Sequence, residues 1–285
     1  MLVTHGSCPG YGLEPFASLV GDYPGDEVYP IDDFRVEWGP IFHRGRLDGS
    51  ARLLVLGQDP AAHEAISRRI LVGVAGQRVQ GLLAKVGITS SYAMVNTYVY
   101  SVFGQGGGNR HIKSDAIALY RNRWLDALLV GTRVSAVITF GTLARRAYSA
   151  WAATQPGIAT AIHRAVLTHP TYPESAGGTG SVVGTRTAQL LAQWNAALPG
   201  LVASVTPDPP DPDEPAGHMD IGTPYAASWR PGDLVAIPEA DLPAGVPGWW
   251  RDVEPWASRV GANAQTKRAT ITVAVPEGAR TWPTL

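Results

Sequence analysis

The sequence predicts an α/β fold: a central parallel-rich sheet of four strands with helices on both faces, followed by a small β-rich C-terminal appendage. Three observations predict it. Four short apolar runs alternate with stretches whose apolar residues recur at helical spacing, and that alternation builds parallel sheets. The first run, Leu53-Leu54-Val55-Leu56 ending at Gly57, is apolar without alternation, as suits a strand covered on both faces. A stiff acidic tract at 207–215, PDPPDPDEP, then breaks the pattern, and the chain beyond it is rich in tryptophan.

Residues 1–50 carry glycine, proline and rings (Tyr11, Phe16, Tyr23, Tyr29, Phe34, Trp38, Phe42) with little periodicity. They read as an irregular wrap with short helical turns, packed on the core through those rings. Residues 51–200 read as the catalytic domain. After its first strand comes Gly57-Gln58-Asp59-Pro60, a carboxylate at the strand's carboxyl end, where open α/β sheets bind ligands. Pro60 biases Asp59 to extended backbone; the plainer alternative makes Asp59 the N-cap of a short helix over 62–69. Gly73-Val74-Ala75-Gly76 is a turn whose amides suit a phosphate, and it opens a helix through Val79, Leu82, Leu83 and Val86 that stops at Gly87.

The second strand spans Tyr92 to Tyr100 and contains Asn96, an amide in a setting where a buried one needs a partner. Gly104 to Arg110 reads as a mobile loop. Ser114 caps a helix to Leu129, with an apolar stripe of Ile117, Leu119 or Tyr120, Trp124, Ala127 and Leu128. Val134 to Phe140 is the third strand, and Gly141 opens the next helix. Ala165 to Thr168 is the fourth, followed at once by His169-Pro170-Thr171-Tyr172-Pro173, with a last helix over 185–198. Four strand ends on one rim would gather Asp59, the Gly73–Gly76 turn, Asn96 and His169. In residues 201–285, Trp229–Ile237 and Ala269–Val275 read as strands, and Trp249, Trp250, Trp256 and Trp282 as that region's core rather than a stacking platform.

Composition narrows the function. The 285 residues carry a net charge of -1, unevenly placed. Residues 1–50 hold 3 Lys/Arg against 8 Asp/Glu, residues 51–200 hold 14 against 5, and residues 201–285 hold 6 against 11. A basic middle between acidic ends suits a polyanion-binding core. No apolar run approaches the ~20 residues that span a bilayer, and the first residues lack the pattern of a signal peptide, so a cytoplasmic location is expected. A single cysteine, Cys8, forbids an internal disulfide and any site needing several thiolates, so no metal and no cofactor is expected.

Gly57-Gln58-Asp59-Pro60 with His63, the strand Asn96, and His169-Pro170-Thr171 resemble the three signatures of the uracil-DNA glycosylase superfamily. The resemblance covers about Ala51 to Leu198. Val72 to Gln77 also resembles the segment after the first motif in members that hold an iron-sulfur cluster, a cluster that Cys8 alone could not bind. The resemblance implies that Asp59 handles the attacking water, Asn96 reads the uracil edge beside Gln58, and His169 stabilises the departing base. There are departures. Leu71 stands where an aromatic stacks on uracil, Ala61 where a tyrosine fills the pocket, and Tyr172-Pro173 where a leucine wedge enters DNA. Together these imply a divergent branch without the cluster.

The chemistry asks for the same groups. Breaking the bond between deoxyribose and base develops positive charge on the sugar and negative charge on the base; a carboxylate and a neutral histidine donor stabilise these. An Asn side chain matches uracil and rejects the amino group of cytosine. The base must leave the stack, so phosphate contacts and a filler are needed. Arg68, Arg69, Arg78, Lys85, Arg110, Lys113, Thr171 and the amides at Gly73 and Gly76 are the expected DNA contacts, and Tyr172 and Pro173 the filler. The expected partner is uracil-containing DNA, single- or double-stranded, with the protein a monomer. A non-cleaving or adduct-forming uracil-DNA binder and a small-molecule nucleotide enzyme are the rival readings.

Overall fold

The computed structural model describes residues 10–209, 221–251, 255–262, 266 and 270–279. Cys8, Ala269, Trp282 and most of the acidic tract lie outside them. Four parallel strands form the centre: β2 (Leu53–Gly57), β3 (Tyr92–Asn96), β4 (Ala136–Phe140) and β5 (His163–Leu167). A fifth, β1 (His43–Gly45), pairs antiparallel with β3, giving the order β1-β3-β2-β4-β5. The N-terminal segment thus joins the sheet where an irregular wrap was expected. A three-residue strand reading His-Arg-Gly has no apolar alternation to announce it.

The alternation of β2 splits the core in two. Leu53 and Val55 face one cluster with Val79, Leu82 and Leu83 of α3 (Val74–Val86) and Leu190, Leu191 and Trp194 of α9 (Ser181–Ser204). Leu54 and Leu56 face the other, with Ile117, Tyr120 and Trp124 of α5 (Asp115–Leu129), Leu143 and Trp151 of α6 (Gly141–Thr154), and Tyr29 and Phe34 from the N-terminal segment. The Ser114 hydroxyl accepts from Ile117 N–H, and Tyr120 is buried while Leu119 is exposed. The chain runs from β2 to β3 on one side and then crosses to β4 on the other. The carboxyl end of β2 is therefore a topological switch point, where a crevice opens between diverging loops.

Two further expectations change. Gly104–His111 is a helix, not a mobile loop. Asp33 pairs with both Arg110 and His111, and the Tyr98 hydroxyl donates to the Gly108 carbonyl, so tertiary contacts override the poor helix propensity of glycine. Trp229–Ile237 is not a strand: Pro231–Asp233 is a 3₁₀ turn whose Asp233 carboxylate accepts from Arg230 N–H. Among the described residues, the β pairing beyond the core is Ala257–Ser258 (β6) with Thr272–Val273 (β7), antiparallel. Trp256 is buried with Ala62, Val72, Ile237 and Leu242, and Trp249 and Trp250 pack against that cluster.

Buried charges fasten the C-terminal extension to the core. The fully buried Arg44 of β1 pairs with Asp241 at 3.2 Å, and the same carboxylate accepts from the Tyr92 hydroxyl. Lys85 of α3 pairs with Asp233 at 3.4 Å. Asp208, expected within a linker, accepts from the N–H groups of Thr89, Ser90 and Ser91 at 2.8–3.0 Å and pairs with Arg52.

Candidate active site

A cleft of about 1130 Å³ opens along the carboxyl ends of the parallel strands. At β2 the helix α2 (Ala62–Ser67) begins with Ala61 as its N-cap, and its end is satisfied from within: Glu64 Oε2 accepts from Ala61 N–H at 3.0 Å. Asp59 is therefore not the cap. Its carboxylate turns to the cleft, with Oδ2 accepting from Val102 N–H and Oδ1 from Gln58 Nε2, both at 3.0 Å. Burial raises its pKa above the ordinary carboxylate value, against these two hydrogen bonds and the positive charges of Arg259 and Arg35. Gln58 thus holds the carboxylate in one orientation.

Asn96 ends β3 directly beside Gly57 in the parallel register. A Cβ on residue 57 would lie 2.3 Å from Asn96 Oδ1, so only glycine lets the amide lie across the end of β2. His169 follows β5 and lines the same cleft. Its Nδ1 accepts from Thr171 N–H at 3.4 Å and lies 3.1 Å from the Thr171 hydroxyl, which leaves the proton of the neutral ring on Nε2. Burial, aided by the charge of Arg78, pushes the imidazole pKa down to about 4. The ring is a neutral donor through the physiological range.

The cleft therefore brings together Gln58, Asp59, Ala61, Leu71, Asn96, His169, Thr171 and Tyr172. Ala61 is exposed within it, and Leu71 is buried with a left-handed backbone, φ 53°. That conformation is uncommon for a non-glycine residue and recurs at functional sites. Tyr172 is exposed at the rim, whereas Pro173 is buried and cannot enter DNA.

The expected phosphate contacts fare differently. Arg78 is buried and braces the His169 loop from behind, donating to the Pro170 carbonyl at 2.7 Å and to both Glu174 carboxylate oxygens, with Trp229 beneath it. Arg69 is buried and donates to the Asp241 carbonyl; Arg68 donates to the carbonyls of Trp38 and Pro40. Lys85 is buried on Asp233. Each is committed to protein oxygens by folding. Arg110 and Lys113 are exposed but stand outside the cleft lining. Gly73 is the N-cap of α3, and Gly76 lies inside that helix, buried, where a Cβ would sit 1.6 Å from the Leu71 carbonyl. Gly76 thus serves close packing, and the residues of that turn that line the cleft are Val74 and Ala75.

Glu64, Arg145 and Arg259 also line the cleft, and sequence reasoning did not single them out as site residues. Glu64 is buried, accepts from Ala61 N–H and Val72 N–H, and burial raises its carboxyl from 4.5 to about 7. An acid three residues past an N-cap is a readable capping signal; its second bond, to Val72, is not. His63 accepts on Nε2 from Ala257 N–H at 3.1 Å and meets Trp256 edge-on, and burial lowers its pKa to about 4. It ties the C-terminal extension to the first motif.

Fold and cleft together define an α/β protein with a carboxylate, an amide and a neutral histidine at the switch point of a parallel sheet. The sequence model described as the Uracil DNA glycosylase superfamily matches residues 44–199, more than half of the chain. The chain belongs to that superfamily. No curated protein matches it. Among the described residues no helix is long and apolar enough to cross a membrane, and no cluster of His, Cys, Asp and Glu is arranged to hold a metal ion.

Proposed function

We propose that the protein hydrolyses the N-glycosidic bond of uracil in DNA and so initiates base excision repair. The observation that carries this is one cleft holding the Asp59 carboxylate, the Asn96 amide and a His169 ring whose Nδ1 accepts from Thr171 N–H. In this reading the target nucleotide flips into the cleft, and Asn96 offers a donor and an acceptor to the uracil edge. As the C1′–N1 bond lengthens, Asp59 stabilises the cationic sugar and orients the attacking water. The neutral His169 donates an Nε2–H hydrogen bond to the base oxygen that gains negative charge and keeps its proton throughout. The water oxygen bonds to C1′ as the C1′–N1 bond breaks, Asp59 takes the proton that water sheds, and that proton leaves with the uracil anion. Among the described residues the cleft lining contains no lysine, which supports simple hydrolysis over a Schiff-base lyase.

The test is incubation with uracil-containing single- and double-stranded DNA. Free uracil and abasic sites in many turnovers are the expected result. A stoichiometric protein–DNA adduct, or binding with no released base, would replace hydrolysis with recognition. Activity on nucleotides alone would indicate the nucleotide-enzyme reading.

A further inference from the structure

Among the described residues, the arginines lining the cleft are Arg145, on the first turns of α6, and Arg259, just after β6. Both are exposed. The cations nearest the motifs in sequence, Arg68, Arg69, Arg78 and Lys85, are spent on protein oxygens. Arg259 lies outside residues 44–199 matched by the superfamily, yet it shares the cleft with Asp59 and its positive charge acts on that carboxylate.

Its position is built. Ala257, two residues earlier, donates its N–H to His63 of α2, and Trp256 is buried, stacks on Trp250 at 4.7 Å and donates Nε1–H to the Trp250 carbonyl. The Ala257–Ser258 strand pairs with Thr272–Val273. The packing of the core does not require an exposed cation at the mouth of a cleft that already holds two carboxyls, the half-buried Asp59 and the buried Glu64. An exposed guanidinium there is matched to a ligand anion, and the anion repeated along the proposed substrate is a phosphodiester.

We propose that Arg259 is a phosphodiester-binding residue, so that the C-terminal extension forms one wall of the DNA site with Arg145 as the second cation. The inference rests on DNA being the substrate but not on which base is removed. Arg259 contacts the backbone and reads no base, so it adds affinity uniformly across sequences and adds to the salt dependence.

The experiment measures binding of the full chain to a fluorescent duplex carrying a tetrahydrofuran abasic site, across a salt series. That probe needs neither uracil nor catalysis. Arg259→Gln is compared with Arg259→Lys and with Arg133→Gln. Arg133 is exposed and precedes β4, at the opposite end of the sheet. Arg259→Gln is expected to weaken binding about tenfold and to lower the slope of log Kd against log salt by about 0.9, with an unchanged melting temperature. Arg259→Lys should keep most of both, and Arg133→Gln should change neither. An Arg259→Gln protein that binds with wild-type affinity and slope overturns the proposal, as does equal weakening by Arg133→Gln. So does a wild type that does not bind the duplex. If the arginine effect appears but no uracil is released from uracil-containing DNA, the phosphate site stands and the glycosylase reading falls.

Discussion

The motif loops and the segment around Arg259 line one cleft but are held there by opposite means. Asp59, Asn96 and His169 sit at strand ends and take their direction mainly from neighbours in sequence or in the next strand, Gln58, Gly57 and Thr171, with two distant supports, Val102 N–H on the Asp59 carboxylate and Arg78 behind the His169 loop. The C-terminal wall is held by partners far away in the chain: Asp241 on Arg44, Asp233 on Lys85, Ala257 on His63. The difference assigns separate duties. Local bonds fix the direction of a reacting group, and distant buried charges fix the presence of a surface. Damage to the first should change the rate of a well-folded protein; damage to the second should change how much protein is folded.

Five substitutions put that division at risk. The largest effect is expected for Asp59→Asn. It keeps the hydrogen-bonding shape but removes the charge, so single-turnover uracil release should fall about 10³-fold, some 4 kcal/mol, with DNA binding kept. Near-normal turnover would remove Asp59 from the chemistry. Asp241→Asn comes next. It strands the buried Arg44 guanidinium, and chemical denaturation should show a loss of about 3–4 kcal/mol while the rate per folded molecule is unchanged. A rate loss at full stability would mean that the two regions are not separate.

Glu64→Gln tests a group that belongs to both regions. Its carboxyl is raised from 4.5 to about 7, so the folded state holds a proton that the unfolded state has released. That contribution is complete below pH 4.5 and is lost as pH rises to 7, about 3 kcal/mol in all. Relative to Glu64→Gln, the wild type should lose stability across that window and run parallel above it. Parallel melting curves throughout would place the ionised form comfortably in the fold.

His169→Ala removes a neutral donor, and release should slow about 10²-fold with the melting temperature kept. Because the ring titrates near 4, the pH profile between about 5 and 8 should show no histidine limb; a limb near the ordinary histidine value of about 6.5 that vanishes in the variant would contradict the neutral-donor role. The smallest effect concerns Ala61, which leaves the cleft open where relatives carry a tyrosine ring. Wild type should accept 5-hydroxymethyluracil in single strands or mispairs about tenfold better than Ala61→Tyr, with uracil rates matched, on the scale of about 1–3 kcal/mol for an added group in an apolar pocket. Equal rejection by both would show that another side chain closes the wall.

The same division explains what could be read from the sequence. The four parallel strands were legible because runs such as Leu53–Leu56 are apolar on both faces, and the placing of Asp59, Asn96 and His169 along one cleft because they lie at or just after the ends of those runs. Strand β1 was not, since Arg44 looks like a surface residue until Asp241 and Tyr92 are known to meet it. The helix over Gly104–His111 was missed for the same reason, its support coming from Asp33 and Tyr98. Arg78 illustrates the limit at the site. Charge and proximity to the glycine turn suggested a phosphate ligand, and only packing shows it inside, bracing the His169 loop through Glu174. Arg259 is the converse, a cation far from every motif in sequence that the fold delivers to the cleft.

The Arg44–Asp241 pair also sets a clock for biogenesis. The two residues are 197 apart in the chain. At roughly 5–20 residues added per second, Asp241 is made about ten to forty seconds after Arg44. For that interval the emerging chain gains the other four strands of the sheet and both the motif aspartate and histidine, but the guanidinium destined for its edge has no carboxylate. Closing β1 into the interior during that time would bury an uncompensated charge. Until Asp241 emerges, the Ile70 carbonyl and the Gln80 side-chain oxygen receive that guanidinium without neutralising it, so the first strand in sequence is expected to settle after the other four.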